Sequence, residues 1–329
     1  MAKTRDLREH GLVRRRILYA YLLAGVSLSL LAWLVRGHWG ELRQLSNLPP
    51  GAFLGIVSLY LIGRALSAEA MRVGLSSLGF SIDRSICFML TLLQSYTNLI
   101  IPRSGLAPPA VYLRVQHAVP YASYLAFAVL MILLATGLMG ALGFWAGWFV
   151  NGLNPIPRVE MLWAFGGIAG AAVLSVAAPV RLFGVLPEWP RRHLLAAHKA
   201  WSSLAGRPFV LIRLVGLQAA GIFSRAVRMK VALEIAGVHI PFPQVMVVSI
   251  CTDLSMLVSL TPAALGFREA GVLFGAALIG IEPGAAMLAA VVDRLATTPT
   301  VILAGQFVLW RGVREVLKGS KGPSEGSGA

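Results

Sequence analysis

The chain has 329 residues, of which 57% are hydrophobic and 13% charged, and its mean hydropathy is +0.73. This composition excludes an ordinary soluble domain and indicates a membrane protein. The formal net charge of +15 does not indicate nucleic-acid binding, because the basic residues lie between apolar runs and form no polar face. Cys87 and Cys251 each lie inside an apolar segment, so we expect no disulfide scaffold and no CxxC metal or redox motif. The sequence also contains no HExxH and no GxGxxG motif, so we expect no metal site and no cofactor.

The apolar segments predict an all-α fold, a polytopic bundle of membrane helices. Residues 17–35 follow a basic stretch and precede no small-residue cleavage site, which predicts an uncleaved first transmembrane helix. Eight further segments are predicted at 50–66, 85–101, 121–150, 161–178, 209–227, 244–260, 268–281 and 284–310. The segments at 85–101, 244–260 and 268–281 are short for a membrane span, which favours re-entrant helices.

Two stretches outside these segments are polar. Residues 179–208 hold five basic residues among prolines and tryptophans, which is typical of an interfacial basic segment or of a solvated loop. The glycine- and serine-rich stretch 319–329 is expected to be a disordered tail. Residues 1–318 are therefore predicted to form a single transmembrane domain. Glycines at helical spacing within 137–147, 166–170 and 271–275 predict close packing between its helices.

The spacing of several residues indicates an internal repeat. Three pairs recur at nearly constant offsets of 161, 160 and 161 residues: Arg64 and Arg225, Pro102 and Pro262, Gly105 and Gly266. Repeat A is predicted at about 50–150 and repeat B at about 209–310, joined through the single helix 161–178. Each repeat would consist of a helix, a short apolar piece that ends at a Pro-Gly break, and a long helix.

The distribution of Lys and Arg predicts how the segments cross the membrane, because these residues favour the cytoplasmic side. If all nine segments span, the cytoplasmic loops hold 11 basic residues and the outer loops 14. If the short pieces enter and return on one side, the counts are 19 inside and 6 outside. This second arrangement places both termini on the cytoplasmic side of the inner (plasma) membrane. It also relates the repeats by inversion, which is typical of transporters with a site between the repeats.

Ionisable residues occur inside segments that would otherwise face lipid. Each costs about 2.5–3.5 kcal/mol at a helix centre, so these residues are expected to face protein or water. They suit either a cavity that holds an anionic head group, with backbone N–H groups at the breaks contributing, or a set of structural ion pairs. The candidate site residues in these segments and breaks are Arg64, Arg225, Asp253, Pro262, Gly266, Arg268, Glu269, Asp293 and Arg294.

Helix geometry narrows the pairing of these charges. Neighbouring residues on a helix do not face each other, so Asp293 and Arg294 are expected to have different partners. Arg268 is a candidate partner of Asp293. For Arg213 a structural role near the membrane interface is favoured over a binding role.

Two blocks of residues resemble the membrane region of the lysylphosphatidylglycerol synthase family, described as flippase-like integral membrane proteins. The first block covers residues 64–79, 98–105 and 112–114. The second block is more specific, and the family's Pro, Gly, Arg-Glu and later arginine fall on Pro262, Gly266, Arg268, Glu269 and Arg294. The resemblance extends from about residue 12 to 318 and implies the lipid-handling half of such proteins without the soluble aminoacyl-transfer half.

The first block departs from the family pattern. An acidic residue and a nearby arginine usually follow the glycine, but Gly105 is followed by Leu-Ala-Pro-Pro-Ala. Arg103 and Arg114 are then the only nearby charges. Arg103, Gly105 and Arg114 complete the set of candidate lipid-binding residues.

The resemblance implies a protein that moves or presents an anionic lipid across the inner membrane, for which a phospholipid, a hopanoid and a polyprenyl-linked lipid are equally suitable. One alternative is a membrane-embedded transferase acting on a lipid phosphate, with Glu269 or Asp253 as the base. Another is a non-catalytic partner of a lipid-modifying enzyme. The expected partners are the membrane and an anionic lipid or lipid-linked substrate, with a homo-oligomer or a lipid-synthesis enzyme as further alternatives.

Overall fold

The computed structural model describes residues 50–150, 155–177, 206–258 and 260–319, together with residues 195, 198, 201 and 202. Within these ranges the chain is all-α and contains no strand, as the sequence predicts. The predicted helix at 17–35, most of the basic stretch 179–208 and the tail after residue 319 lie outside the described residues.

The described helices are α1 (Pro50–Ser77), α2 (Arg84–Ile100), α3 (Ala107–His117), α4 (Tyr121–Trp148), α5 (Pro155–Ala177), α6 (Pro208–Ile235), α7 (Phe242–Leu257), α8 (Phe267–Leu278) and α9 (Pro283–Gly319). Four of them, α1, α4, α6 and the Pro283–Val308 part of α9, are long and apolar enough to cross a membrane. Their 26 to 28 residues correspond to roughly 40 Å, which exceeds the ~30 Å hydrocarbon thickness. With 17, 16 and 12 residues, α2, α7 and α8 are each shorter than that thickness at ~1.5 Å per residue.

The helix boundaries differ from the predicted segments in two respects. α1 and α6 continue well beyond the predicted ends at 66 and 227, because charged residues there contact other helices instead of ending the span. The sequence analysis did not predict α3, which begins with Ala107 followed by Pro108 and Pro109. Both prolines lie in the first turn, where a helix needs no N–H donor from them.

α1 to α4 and α6 to α9 follow the same order of elements. The four helices begin at residues 50, 84, 107 and 121 in the first unit and at 208, 242, 267 and 283 in the second, so the offset stays between 158 and 162. In each unit, the loop between the first and second helices contains a glycine with positive φ: Gly79 (91°) in the first unit and Gly237 (79°) in the second. Each break carries a left-handed residue after its proline, Arg103 (57°) and Ala263 (55°). The element order therefore repeats, with four helices in each unit instead of the predicted three.

Helices of each unit pack against helices of the other unit. The short helix α2 of the first unit packs against α9, the last helix of the second unit, whereas α7, the counterpart of α2, packs against α4. Likewise, α1 packs against α9 and α6 against α4. One core cluster accordingly joins Ile56 of α1, Met229 of α6 and Ala289 of α9. The units are interlocked, and each covers apolar surface of the other.

α1 and α6 cross in antiparallel orientation. Arg207, directly before α6, donates to the carbonyl of Ser77 at the end of α1 (2.8 Å), and Ser224 donates to the carbonyl of Leu59 (3.0 Å). Equivalent helices in antiparallel contact are what inverted repeats require. The orientation of the two units in the bilayer stays a prediction.

The predicted glycine faces are confirmed at most positions. A Cβ on Gly140 would lie 2.5 Å from the backbone nitrogen of Ala169, and one on Gly275 would lie 2.7 Å from Val248 Cα. These glycines let α4 approach α5 and α8 approach α7. Gly170 is an exception, because no atom lies within 4 Å of its Cβ position.

Candidate functional site

Asp293 on α9 is the centre of a group of buried charges. Its side chain is fully buried between two arginines. Arg228 of α6 places its Nε 2.9 Å from Oδ1, and Arg268 of α8 contacts Oδ2. Arg268 was one candidate partner of Asp293 in the sequence, and the structure pairs the two residues. A single carboxylate thus joins α6, α8 and α9.

Arg294, the next residue on α9, pairs with a different carboxylate, as predicted for neighbours on a helix. Its Nε lies 2.7 Å from Glu269 Oε1, and its Nη2 donates to the carbonyl of Ala263 at 3.3 Å. Glu269 Oε2 accepts the N–H of Gly266 at 2.9 Å and so caps the start of α8. Pro262 is buried in the turn that precedes this cap. The second Pro-Gly break is therefore tied to α9.

A fourth ion pair joins α6 to α7. Arg225 Nε lies 2.6 Å from Asp253 Oδ2, with 23% and 14% of the two side chains exposed. Together with the residues above it forms what we call the charge cluster: Arg225, Arg228, Asp253, Arg268, Glu269, Asp293 and Arg294. Within the described ranges, no three His, Cys, Asp or Glu side chains are grouped so that they could hold a metal ion.

Arg64 on α1 adds a further guanidinium beside the charge cluster. Its Nη1 donates to the hydroxyl of Ser95 on α2 at 3.0 Å, and its guanidinium lies 5.6 Å from the centre of the Tyr60 ring. Arg228 approaches the same ring at 5.7 Å. Among the described residues Arg64 makes no ion pair. Arg64 and the charge cluster therefore combine five positive with three negative charges.

The first Pro-Gly break is held by hydrogen bonds in which no carboxylate takes part. The side-chain oxygen of Asn98 accepts the N–H of Gly105 at 2.7 Å, and Arg103 donates to the carbonyl of Leu257 at 3.1 Å. Arg114 is exposed in the last turn of α3, and the described part of the chain offers it no ion pair. The structure thus leaves Arg103, Gly105 and Arg114 outside the charge cluster, although Arg103 links the first break to the end of α7.

The sequence analysis missed Arg228, since the predicted helix ended at 227 and the residue was counted as an outer-loop charge. Arg225 and Arg228 are three residues apart, so they share a helix face once α6 continues to Ile235. That spacing was the available signal. Arg213 has the structural role expected of it, because its Nη2 lies 2.6 Å from Glu69 Oε1 on α1.

A known protein family matches most of this chain. The family described as the lysylphosphatidylglycerol synthase TM region matches residues 17–305. The chain belongs to this family. The match includes the first unit, the second unit up to residue 305 and every residue of the charge cluster, and it confirms the resemblance stated from the sequence motifs. Neither the curated proteins nor the solved structures include a match. The protein is a multi-pass membrane protein of this lipid-related family.

Proposed function

We propose that the protein is a flippase that moves or presents an anionic lipid across the inner membrane. The observation that carries the proposal is the excess of positive charge inside the bundle, where Arg64 of the first unit and the four arginines of the charge cluster in the second unit accompany three carboxylates. An unbalanced charge inside a membrane bundle is costly unless an anion compensates for it. The head group of an anionic lipid would supply this compensation.

The broken helices support the same function. The second Pro-Gly break separates α7 from α8 beside the charge cluster. Transporters hold charged substrate groups at such helix breaks between their repeats. The N–H of Gly266 is already bound by Glu269, so arginine side chains are better suited than main-chain donors to bind the head group. This changes the sequence-based expectation of a main-chain contribution at Gly266.

A transferase has less support, because the two carboxylates considered as bases already have partners. Both oxygens of Glu269 are bound, one by Arg294 and the other by Gly266. Asp253 is paired with Arg225. A substrate hydroxyl would have to displace one of these partners before it could lose its proton.

The proposal is tested in proteoliposomes that contain phosphatidylglycerol labelled on an acyl chain, with chemical reduction of the outer-leaflet label as the readout. The wild-type protein is expected to equilibrate this lipid between leaflets faster than labelled phosphatidylcholine and faster than protein-free vesicles do. Arg268→Gln should slow the exchange by at least about tenfold, equivalent to ~1.4 kcal/mol.

The matched control is Lys230→Gln, which removes a cation from an exposed pair with Glu234. It should translocate phosphatidylglycerol like the wild type. Equal exchange of the two labelled lipids by the wild type would contradict the proposal, as would full activity of Arg268→Gln. A change in the mass of the lipid in the presence of an acyl or sugar donor would favour the transferase.

A further inference from the structure

One position matched between the two units carries a negative charge in the second unit and no charge in the first. In the second unit Arg225 pairs with Asp253, which is the twelfth residue of α7. In the first unit Arg64 contacts Ser95, which is the twelfth residue of α2. A hydroxyl therefore stands in the first unit where a carboxylate stands in the second, and the charge of Arg64 has no internal counter-ion at this position.

Among the described residues, the groups around Arg64 do not supply the counter-ion that it lacks at Ser95. Arg64 Nε and the Tyr60 hydroxyl are buried, and neither has a hydrogen-bond partner among the described residues. The charges that act on Arg64 include the arginines 225 and 228, and Asp253 is already paired with the first of them. Tyr60 is 9% exposed, so little solvent reaches its ring. Two buried donors thus lack an acceptor, which is costly in a folded protein.

We propose that Arg64, together with the hydroxyl of Tyr60, forms an anion site for the phosphate of a lipid head group. A phosphate offers several acceptor oxygens and a full negative charge, which suits a guanidinium beside the unpartnered hydroxyl of Tyr60. The site lies where α1 of the first unit meets α6 of the second, so bound phosphate contacts the boundary between the units. The inference rests on the proposed function and adds the chemical class of the head group.

Ser95→Asp tests the site by giving the first unit the carboxylate that the second unit has. The new carboxylate should pair with Arg64 and exclude phosphate while removing no existing contact between helices. We expect this variant to retain at least tenfold less phosphatidylglycerol in native mass spectrometry and to translocate it at least tenfold more slowly. Its unfolding temperature should be equal to or above that of the wild type.

Ser81→Asp is the matched control, since it adds the same carboxylate at an exposed residue in the turn after α1, and it should retain the lipid. Tyr60→Phe removes only a hydroxyl and should weaken lipid retention several-fold without lowering the unfolding temperature. Undiminished retention in either Ser95→Asp or Tyr60→Phe would overturn the site. Thermal stabilisation by inorganic phosphate, with no phosphatidylglycerol retained, would overturn the assignment to a lipid.

Failure of the site and failure of the proposed function give different results. If the wild type translocates phosphatidylglycerol and Ser95→Asp does so equally well, the anion site is wrong and the flippase proposal stands. If the wild type translocates no lipid but retains phosphatidylglycerol in a manner that Ser95→Asp abolishes, the site stands and the flippase proposal fails.

Discussion

Arg294 and Glu269 form an ion pair that fixes the second Pro-Gly break to α9, with 2.7 Å between Arg294 Nε and Glu269 Oε1. The other oxygen of Glu269 holds the N–H of Gly266, and Arg294 also holds the carbonyl of Ala263. One pair of side chains thus determines both the start of α8 and the turn before it. The break is a fixed part of the bundle, in contact with the charges proposed to bind lipid.

Glu269→Gln should lower the free energy of unfolding by about 3–5 kcal/mol, because it leaves Arg294 buried without its carboxylate. Thermal unfolding of the purified protein in detergent measures the effect. Glu234→Gln is the control, since it breaks the exposed pair with Lys230, and a change within about 1 kcal/mol is expected. Similar unfolding temperatures for the two variants would show that the buried pair adds little.

Gly266→Ala should slow lipid translocation, because a side chain is strained at its φ of 81° and the backbone shift would move the N–H that Glu269 holds. Gly237→Ala is a matched control, with a φ of 79° and no atom within 4 Å of the Cβ position. Both variants should lose about 1–2 kcal/mol of stability. Only Gly266→Ala should lose activity in the leaflet-resolved assay; parallel behaviour of the two would argue against a role of the break in transport.

Exchange of the adjacent charges, Arg268→Glu with Glu269→Arg, is expected to prevent assembly. The new glutamate would face Asp293 and the new arginine would face Arg294, so two buried attractions become two repulsions. By contrast, Arg225→Asp with Asp253→Arg keeps one pair across α6 and α7. Yield of monodisperse protein after detergent extraction should separate these double variants, and equal yields would contradict the observed pairing.

If the units are inverted, as the sequence analysis predicts, matched turns lie on opposite sides of the membrane. Ser81 and His239 are exposed and follow Gly79 and Gly237 by two residues each. In single-cysteine variants, Ser81→Cys should be labelled from the cytoplasmic side and His239→Cys from the outside. The native cysteines are buried, which keeps background labelling low. Labelling of both positions from one side would show that the units are not inverted.

Local patterns in the sequence were sufficient for part of the fold and of the site. The constant spacing between the Pro-Gly breaks predicted the repeat, and helical geometry predicted separate partners for Asp293 and Arg294. Arg228 was missed because charged residues at the end of an apolar run resemble a loop until their partners on other helices are known. α3 was missed because its first turn contains prolines, which helices tolerate only there.

The unbalanced charge of Arg64 could be recognised only from the structure, for a different reason. The contrast between Ser95 and Asp253 appears only when α2 and α7 are compared residue by residue from their first turns. The predicted segments began at 85 and 244, which is one and two residues after the observed helices begin, so Ser95 and Asp253 were out of register by one residue. The contact of α2 with α9 has no local sequence signal, since it joins distant parts of the chain.

The packing of α2 and α7 against helices of the other unit also affects the order in which helices pack during synthesis. When α7 leaves the ribosome, its partner α4 is already in the membrane, whereas α2 ends at Ile100 and its partner α9 begins only at Pro283. The face of α2 that carries Tyr96 stays uncovered until Gly305 arrives against its ring. A chain that ends before α9 therefore leaves this face of α2 uncovered, so the packing of the first unit is completed only when α9 has been inserted.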